Sequence, residues 1–405
     1  MRVLFVTPYL PTPPRFGGQR RMHGLMAELA RRHEVSVLSF IDPTDDDSIK
    51  STRATREYCR RVVTVPNRIL DPGRLRKRLQ QVSSLLTYRS YEHYMSRTRA
   101  MQDALNGLLI DCAFDVVQIE FSQMAVYDVA ASRGRPVRCL DEHNIEYDVL
   151  KRTAGADVGP LRRAYNAVNW RKLRAEELRA WRRFDGCAVT SVRDERLLTQ
   201  DAPGVRTAVV PNGVDVDSFA PTTSATIEPN TVLFFGAINY YPNTDGILFF
   251  LRSAWPALKS LCPAARLRIV GPKPPAVISE WADPRVEVVG FVDDIRTEIA
   301  RAATIIVPLR IGGGTRLKVL EAMALAKPVV STKLGAEGID AEHGRDILLA
   351  DDGPGFAREV ASVLVDPALA RRLGDGARRL VVERYSWRSS VDRMTHFYAE
   401  LGAPV

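Results

Sequence analysis

The chain has 405 residues, 45% of them hydrophobic and 26% charged, a composition that excludes a disordered or fibrous protein. At about 100–200 residues per domain, this length predicts two domains, or three. The apolar runs are shorter than the roughly 18 residues of a membrane-spanning helix, and the five cysteines are scattered without a Cys-x-x-Cys pair. We therefore expect a cytoplasmic protein of several domains, without a disulfide framework or a zinc site.

The net charge of +9 is unevenly distributed along the chain. Residues 1–220 contain 35 Lys and Arg against 27 Asp and Glu, whereas residues 221–405 contain 22 against 21. A basic first half is compatible with binding of nucleic acid, of an anionic membrane surface or of an anionic small substrate. Solvated, arginine-rich helix faces explain the charge equally well. Because the sequence has no module of interleaved aromatic and basic residues, we expect no nucleic-acid binding.

The first half of the chain alternates between strand and helix patterns. Residues 3–6 form a continuous apolar run, typical of a strand that is buried on both faces. Gly17 and Gly18 and a helical pattern over 20–32 follow this strand, and a second strand is predicted over 35–40. Further strands are predicted over 62–65, 116–120, 137–140, 186–190 and 209–215, with a long helix over 161–183.

A small, polar segment flanked by prolines, residues 220–230, is the best candidate for a linker. The alternation restarts after it, with strands predicted over 232–236, 267–270, 286–289, 304–307, 329–331 and 347–349, and helices over 244–259, 294–302, 315–326, 354–364, 367–384 and 387–401. Two such runs predict two α/β domains of Rossmann-like type with parallel sheets, residues 1–220 and 221–385. A C-terminal helix within 386–405 could return to the first domain. Ligands of parallel sheets bind beyond the carboxyl ends of the strands, so the cleft between the domains is the expected site.

The segment 307–330 is the richest in chemistry. A predicted buried strand leads into three glycines, Gly312, Gly313 and Gly314. A helix is predicted to begin at about Thr315, and the N–H groups at a helix N-terminus bind anions. Arg316 and Lys318 add positive charge to its first turn, where the helix dipole disfavours cations unless an anion is bound. This arrangement predicts a phosphate or diphosphate site, and a tight strand-to-helix turn without a ligand is the alternative.

The segment 307–330, together with Pro211-Asn-Gly-Val-Asp215 and the two runs of alternation, resembles the retaining glycosyltransferases of family 4 over nearly the whole chain. The resemblance implies the GT-B fold, in which two Rossmann-like domains face each other across a cleft. It implies a nucleotide-sugar donor on the second domain, an acceptor on the first, and no cofactor. The family carries two glutamates separated by seven residues in this segment. The second, which holds the nucleotide ribose, matches Glu321; the first, which contacts the donor sugar, falls on Gly313 and is absent.

Other family positions also differ or match. The family's Arg and Lys after the first strand of the second domain are replaced by Ala237 and Asn243, and we interpret Arg316 and Lys318 as relocated diphosphate cations. Two further segments resemble family loops: Gly17 and Gly18 the glycine loop beneath the donor phosphates and sugar, and Gly290, Phe291 and Val292 the loop that contacts the base. For the glycine pair, a plain turn after the preceding prolines is the alternative.

The resemblance implies that His143, which follows the predicted strand 137–140, lies beside the reacting centre; a purely structural histidine is the alternative. Glu120 ends another predicted strand, where it could contact the acceptor or simply be solvated. Acidic pairs at 293–294 and within 45–47 invite a metal, but Mg²⁺ needs carboxylates aimed at the phosphates. The family uses cations or helix N-termini instead, and we expect no metal.

The resemblance predicts a retaining glycosyltransferase with a nucleotide-sugar donor and an unidentified acceptor, which is a small molecule, a glycan or a lipid-linked sugar. A GT-B sugar epimerase, a phosphorylase and a non-catalytic nucleotide-sugar-binding protein are the alternatives. Residues 74–89 predict a basic amphipathic helix with one apolar face formed by Leu75, Leu79, Val82 and Leu86. Such a helix packs on its own domain or lies on an anionic membrane. In the second case the cytoplasmic protein would be peripheral to the inner face of the membrane.

Overall fold

The computed structural model describes residues 1–44, 47–68, 73–129, 134–154, 159–221 and 226–404. The chain divides into two compact units: unit 1 comprises Met1–Pro211 and Ser390–Val405, and unit 2 comprises Asn212–Ser389. The division therefore falls nine residues before the predicted boundary at 220. The predicted linker includes residues 222–225, which lie outside the described residues.

Unit 1 is built on a parallel sheet that has seven strands within the described residues, in the order β3-β2-β1-β4-β5-β6-β7. The strands are β1 Arg2–Thr7, β2 Glu34–Ile41, β3 Arg61–Pro66, β4 Val116–Glu120, β5 Val137–Glu142, β6 Gly186–Val189 and β7 Thr207–Val209. The interior strand β1 is fully buried over residues 3–6, as expected for a strand covered on both faces. It pairs with β2 on one side and with β4 on the other.

Helices of unit 1 cover this sheet. They are α1 Gly17–Leu29, α2 Asp47–Arg56, α3 Arg74–Leu85, α4 Tyr91–Ser96, α5 Arg99–Asp111, α6 Glu146–Ala154, α7 Pro160–Trp181 and α8 Val192–Asp201, with a short 3₁₀ turn over Ser122–Met124. Helix α1 shows why they pack on the sheet: its buried positions Met22, Leu25, Met26 and Leu29 recur at helical spacing on one face.

Unit 2 repeats the plan with six parallel strands among the described residues, in the order β10-β9-β8-β11-β12-β13. The strands are β8 Thr231–Phe235, β9 Arg266–Val270, β10 Val286–Gly290, β11 Thr304–Val307, β12 Val329–Ser331 and β13 Leu348–Leu349. The helices are α9 Tyr241–Phe249, α10 Trp255–Leu261, α11 Ala276–Ser279, α12 Ile295–Arg301, α13 Leu317–Ala324, α14 Gly353–Val365 and α15 Pro367–Arg384. The next helix, α16 Trp387–Glu400, begins in unit 2 and crosses into unit 1 at Ser390.

Both sheets reverse their strand order at one place. In unit 1 the chain runs outward from β1 to β3, returns beside β1 as β4, and continues outward to β7. In unit 2 the same reversal lies between β8 and β11. Ligands of open parallel sheets bind beyond the strand ends at such a switch point. The fold therefore predicts ligand binding at the loops after β1 and β4 in unit 1, and at those after β8 and β11 in unit 2.

Three elements differ from the sequence prediction. The predicted strand 209–215 ends at Val209, since Pro211 has no N–H to donate to a neighbouring strand. The predicted helix 244–259 is divided into α9, a π-helical turn over Phe250–Ala254, and α10, which has Pro256 in its first turn. The helix expected from Thr315 begins at Leu317, because the glycine turn before it holds Gly312 and Gly314 at positive φ.

The last helix, α16, belongs to unit 1 from Ser390 onward and packs against β6. A side chain at Gly186 would place a Cβ 2.6 Å from the Phe397 ring and 2.8 Å from Leu401. Phe397 and Tyr398 are both buried, and the Tyr398 hydroxyl donates a hydrogen bond to Gln118 of β4. Helix α16 is therefore part of the core of unit 1.

We predict that Phe397→Ala lowers the free energy of unfolding by about 3–5 kcal/mol, because it leaves a ring-sized cavity against β6. Urea unfolding followed by circular dichroism measures this change. Phe291→Ala is the matched control: its ring is 69% exposed, and we expect a change within about 0.5 kcal/mol. Equal stability of the Phe397 variant and the wild type would show that α16 does not contribute to the core of unit 1.

Candidate functional site

The site in unit 1 begins at the ends of two neighbouring strands. Glu120 is the last residue of β4, and it lies opposite Asp141 in the register of β4 with β5. His143 directly follows β5. Because parallel strands bring their carboxyl ends to one edge of the sheet, these three side chains lie together. All three are buried, which excludes the interpretation of Glu120 as a solvated strand end.

A buried arginine neutralises this edge. Arg21, on α1, donates from Nε and Nη2 to the two oxygens of Asp141, at 2.8 and 2.6 Å. Its Nη1 donates to the carbonyl of Val210 at 2.8 Å. Burial raises the pKa of Asp141, and the adjacent guanidinium acts against that rise. A bidentate pair in this geometry holds α1, β5 and the segment after β7 in one arrangement.

His143 is a neutral imidazole, because burial lowers its pKa to about 3. Its Nε2 lies 2.6 Å from Glu120 Oε2, and the Phe121 ring lies over it with centroids 3.8 Å apart. Burial raises the pKa of Glu120 to about 7, although Gln118 donates to its other oxygen at 2.6 Å. When Glu120 is ionised, Nε2 carries the proton of the imidazole and Nδ1 carries a lone pair. That Nδ1 is buried and has no hydrogen-bond partner within the described part of the chain.

Glu120, Asp141 and His143 could also be considered as metal ligands, since one ligand atom from each lies within 4.8 Å of the others. Each of the four carboxylate oxygens, however, already has a hydrogen-bond partner: Arg21 for Asp141, and Gln118 and His143 for Glu120. A divalent cation at this place would also stand beside the Arg21 guanidinium, which repels it. The donor set therefore fits a hydrogen-bonded network better than a metal, and the absence of a metal stays a prediction.

A second layer of carboxylates holds the loop that carries His143. Glu177, on α7, accepts hydrogen bonds from the backbone N–H groups of Glu146 and Tyr147, both at 2.9 Å. Glu142 accepts from Trp181 Nε1 at 2.7 Å. Burial raises the pKa of Glu142 to about 8 and that of Glu146 to about 7. Side chains of α7 therefore hold residues 143–147 in place.

Aromatic rings connect His143 with a pocket beyond the end of β1: the Phe121 ring contacts His143, and Tyr9 lines the pocket. Phe121 has a left-handed backbone with φ of 68°, and its ring lies 6.0 Å from that of Tyr9. Gly18 permits this contact, because a Cβ there would overlap the Tyr9 hydroxyl and press on Phe121; a Cβ at Gly17 would meet open space. The pocket has a volume of about 330 Å³, and among its lining residues are Tyr9, Phe16, Phe40, Asp42 and Asn67.

The site in unit 2 begins with glycines at three strand ends. Gly236, Gly271 and Gly290 follow or end β8, β9 and β10, and all three have positive φ. A Cβ at Gly271 would overlap the carbonyl oxygen of Gly236. These neighbouring strand ends therefore present bare backbone, which a ligand can approach closely. Gly271 was not identified from the sequence, although it follows a buried strand in the same way as the other two.

Lys318 lies against this bare backbone. A Cβ at Gly236 would be 2.8 Å from its Nζ, which donates to Asn243 Oδ1 at 2.8 Å and lies 4.8 Å from the centroid of the Phe234 ring. Burial lowers the pKa of Lys318 to about 7; nearby Arg316 lowers it further, and Glu321 raises it. Lys318 follows β11 in sequence, yet its ammonium lies at the end of β8. Asn243 and Lys318 thus meet where the family's cations were expected.

The glycine turn and the helix after it surround this lysine. Arg316 precedes α13, and its Nη1 donates to the carbonyl of Gly313. Thr315 has a buried hydroxyl without a hydrogen-bond partner in the described ranges. Glu321 is buried on α13, one turn after Lys318. The structure therefore brings Arg316, Lys318 and Glu321 together in unit 2.

The loop predicted to contact a base has a mixed environment. The Phe291 ring is exposed, whereas Val292 packs against the hydrophobic core of unit 2. The Gly290 carbonyl accepts a hydrogen bond from the N–H of Gly271 at 2.7 Å, so this loop adjoins the end of β9. A larger cavity in unit 2, of about 570 Å³, runs along α12 and is lined by none of the predicted site residues.

Sequence reasoning missed Arg21, and a signal for it was present. Positions 21, 22, 25, 26 and 29 form one buried face of α1, and an arginine on an otherwise apolar face must meet a buried acid or carbonyl. Asp141, which lies two residues before His143, was likewise not predicted as a site residue. Tyr398 donates to Gln118, which is 280 positions away in the sequence, and this hydrogen bond completes the network. No local sequence pattern predicts such a contact.

Residues 229–366 match the family described as Glycosyl transferases group 1. The chain is 27% identical to the lipopolysaccharide core biosynthesis mannosyltransferase LpcC of Rhizobium leguminosarum bv. viciae over 263 residues, which are 60% of this chain and 72% of that protein. It is 32% identical to the phosphatidyl-myo-inositol mannosyltransferase of Mycolicibacterium smegmatis, over 46% of this chain and 50% of the relative.

Solved structures resemble the chain over almost its full length. Sucrose-phosphate synthase of Thermosynechococcus elongatus superposes with a TM-score of 0.72 at 18% identity, covering 99% of both chains. HepE of Anabaena, in complex with UDP, superposes with a TM-score of 0.69 at 14% identity, covering 99% of this chain and 100% of its own. At these identities the likeness shows the fold.

We predict that Arg21→Met lowers the free energy of unfolding by about 3–5 kcal/mol, because Asp141 would be left buried without its partner. Chemical denaturation measures the loss. Adding Asp141→Asn to the variant removes the unpaired charge and should recover part of it. Arg31→Met is the matched control, since the Arg31 side chain is 74% exposed where it pairs with Glu28, and such a surface pair is worth about 0.5 kcal/mol or less. Equal stability of the two single variants would contradict a structural role of the buried pair.

Proposed function

We propose that this chain, whose residues 229–366 match the group 1 glycosyltransferases and which has the GT-B fold, is a glycosyltransferase that moves a sugar from a nucleotide-sugar to an acceptor hydroxyl with retention of the anomeric configuration. The observation that carries the proposal is the ammonium of Lys318, held against the bare backbone at the end of β8. This is the switch point of unit 2, where the fold favours ligand binding.

Unit 2 takes the donor in this proposal. The groups that face the diphosphate and sugar are Gly312, Gly313, Gly314, Thr315, Arg316 and Lys318. Two cations and the backbone of a glycine turn stabilise the negative charge that develops on the leaving diphosphate. Glu321 accepts hydrogen bonds from the ribose, and Gly290, Phe291 and Val292 contact the base. That HepE was solved with UDP and with UDP-glucose supports a donor of this class.

Unit 1 supplies the groups that act on the transferred sugar and its acceptor. The free lone pair on Nδ1 of a neutral His143 accepts a hydrogen bond from a sugar hydroxyl, while Glu120 fixes the orientation of the ring. Gly17 lies at the start of α1 with open space beside it, and we assign it to the donor together with Gly18. The leaving phosphate oxygen takes the acceptor proton, so this scheme needs no second carboxylate, unlike the paired acids of glycoside hydrolysis.

The acceptor binds in the pocket beyond β1 in this proposal. Its aromatic wall of Tyr9 and Phe16 offers a flat apolar face, and Asp42 and Asn67 offer polar groups for hydroxyls. A site with few polar groups on an apolar wall is typical of small-molecule binding. Glu120 is fully buried, so it does not contact the acceptor directly. In this proposal it acts on the acceptor by positioning His143, over which the Phe121 ring lies.

We predict that donor affinity falls as the pH rises above 7. Burial lowers the pKa of Lys318 to about 7 in the free protein, and a bound diphosphate raises it again, because the anion favours the ammonium. Below pH 7 the lysine is already charged; above pH 7 it must take up a proton to bind, and affinity falls by up to about tenfold per pH unit. Calorimetry with UDP-glucose and GDP-mannose, whose diphosphates do not titrate in this range, measures the profile.

Two variants separate Lys318 from other titrating groups. Lys318→Arg keeps a positive charge over the whole range, so its affinity profile should be flat. Lys333→Met, which removes an exposed lysine of the same unit, should leave the wild-type profile unchanged. If Lys318→Met binds both nucleotide-sugars as well as the wild type does, the lysine is not a donor ligand and the proposal loses its main support.

We predict that His143→Ala binds donor within about twofold of the wild type but releases nucleotide from it roughly a hundredfold more slowly, because the side chain acts on the reaction and not on donor binding. Nucleotide release from whichever nucleotide-sugar binds is the assay, with calorimetry for affinity. His396→Ala, an exposed histidine on α16, is the control. Glu120→Gln keeps the hydrogen-bonding shape and should slow release less than His143→Ala does. Undiminished turnover of His143→Ala, or loss of its fold, would restore the structural interpretation of this histidine.

A further inference from the structure

Helix α3 presents its apolar face outward. The apolar stripe consists of Leu75, Leu79, Val82 and Leu86, each between 59% and 86% exposed. At 3.6 residues per turn, these positions fall within a sector about 60° wide. A surface helix ordinarily turns such a sector toward the core. The interpretation that this face packs on its own domain is therefore wrong for these four residues.

Polar contacts hold α3 from its other side. Ser84, which points away from the stripe, is buried, and Gln80 and Gln81 are half-buried. Lys172, on α7, donates from Nζ to the carbonyls of Ser84 and Thr87, at 2.8 and 2.6 Å. A lysine in this place satisfies carbonyls at the helix C-terminus. These contacts on the opposite side of α3 therefore orient the stripe toward solvent.

Cations border the stripe. Arg76 and Arg78 are exposed and lie on its two sides, about 70–90° from its centre. Tyr88, just beyond the helix, is exposed, and the guanidinium of Arg89 lies 5.1 Å from the centroid of its ring. Residues 73–99 contain seven Lys or Arg and a single acidic residue, Glu92, and Glu92 accepts a hydrogen bond from Asn169 at 3.0 Å. The border of the stripe is therefore positive.

We propose that the apolar stripe of α3 docks unit 1 on an anionic lipid bilayer. A helix that lies in the membrane interface buries an apolar sector among acyl chains and keeps flanking Arg and Lys at the level of the phosphates, the arrangement found here. None of the described helices is long and apolar enough to cross a bilayer. A second copy of the chain is a poorer occupant, because a twofold contact would bring the two positive borders together.

Vesicle flotation tests the proposal with the full chain. The probes are vesicles of phosphatidylcholine alone and vesicles that contain 30% phosphatidylglycerol, at low and at high salt. We expect the wild type to float with the anionic vesicles, to stay unbound with the neutral ones, and to lose most of its binding at about 0.5 M salt, where charge interactions are screened. Leu75→Ser/Leu79→Ser/Leu86→Ser should weaken partitioning at least about tenfold, since it removes the inserted apolar groups.

A matched variant controls for general surface effects. Ile110→Ser/Leu261→Ser/Val365→Ser also removes three exposed aliphatic side chains, and it should float like the wild type. Both variants are accepted only with the wild-type circular dichroism spectrum and melting temperature. Equal flotation of both triple variants would overturn the proposal, as would a wild type that ignores anionic vesicles. A wild type that is dimeric by light scattering and becomes monomeric in the stripe variant, without vesicle binding, would assign the stripe to a second copy.

Discussion

The buried pair of Arg21 and Asp141 is the interaction on which the site of unit 1 depends. The guanidinium contacts three separate parts of the chain: it belongs to α1, it binds the end of β5, and it donates to the carbonyl of Val210. Removing charges from water costs several kcal/mol per ion, and only a bidentate geometry with further hydrogen bonds offsets that cost. The edge of the sheet can therefore bury three acidic or basic side chains beside His143 without an ion from solution.

The two units carry different kinds of buried charge at their strand ends. The strand ends of unit 1 hold a concentration of buried carboxyl groups, several of which have raised pKa values because they are desolvated. The strand ends of unit 2 hold two cations, one of which has a lowered pKa for the same physical reason. Burial acts on both in the direction of neutrality. Each unit thus holds buried groups whose pKa lies near neutral pH.

Much of the fold followed from the sequence, because buried parallel strands and amphipathic helices have local patterns. Strand β4 was predicted at its observed bounds. Glu120 was selected because it ends a strand, and His143 because the family resemblance, together with its place after a strand, implies a role for it. The position of Lys318 was harder to predict: its side chain extends from the first turn of α13, the helix after β11, to the end of β8, and only the strand order shows that β8 and β11 are neighbours. Gln118, which donates to Glu120, and Tyr398, which donates to Gln118, could not be predicted, since one lies inside a strand and the other in the last helix. The direction of the apolar face of α3 was also undecided, because periodicity gives a face and not its surroundings.

The contact of Tyr398 with Gln118 has a consequence for how the protein is made. Strands β1 to β7 are all translated before residue 212, and domains generally fold as they leave the ribosome. Unit 1, however, cannot bury Phe397 and Tyr398, or complete the hydrogen-bond chain to Glu120 and His143, until the whole of unit 2 has also been synthesised. During that interval the face of β6 that receives Phe397 is uncovered. The nascent first unit is therefore an incompletely packed intermediate that the final helix closes.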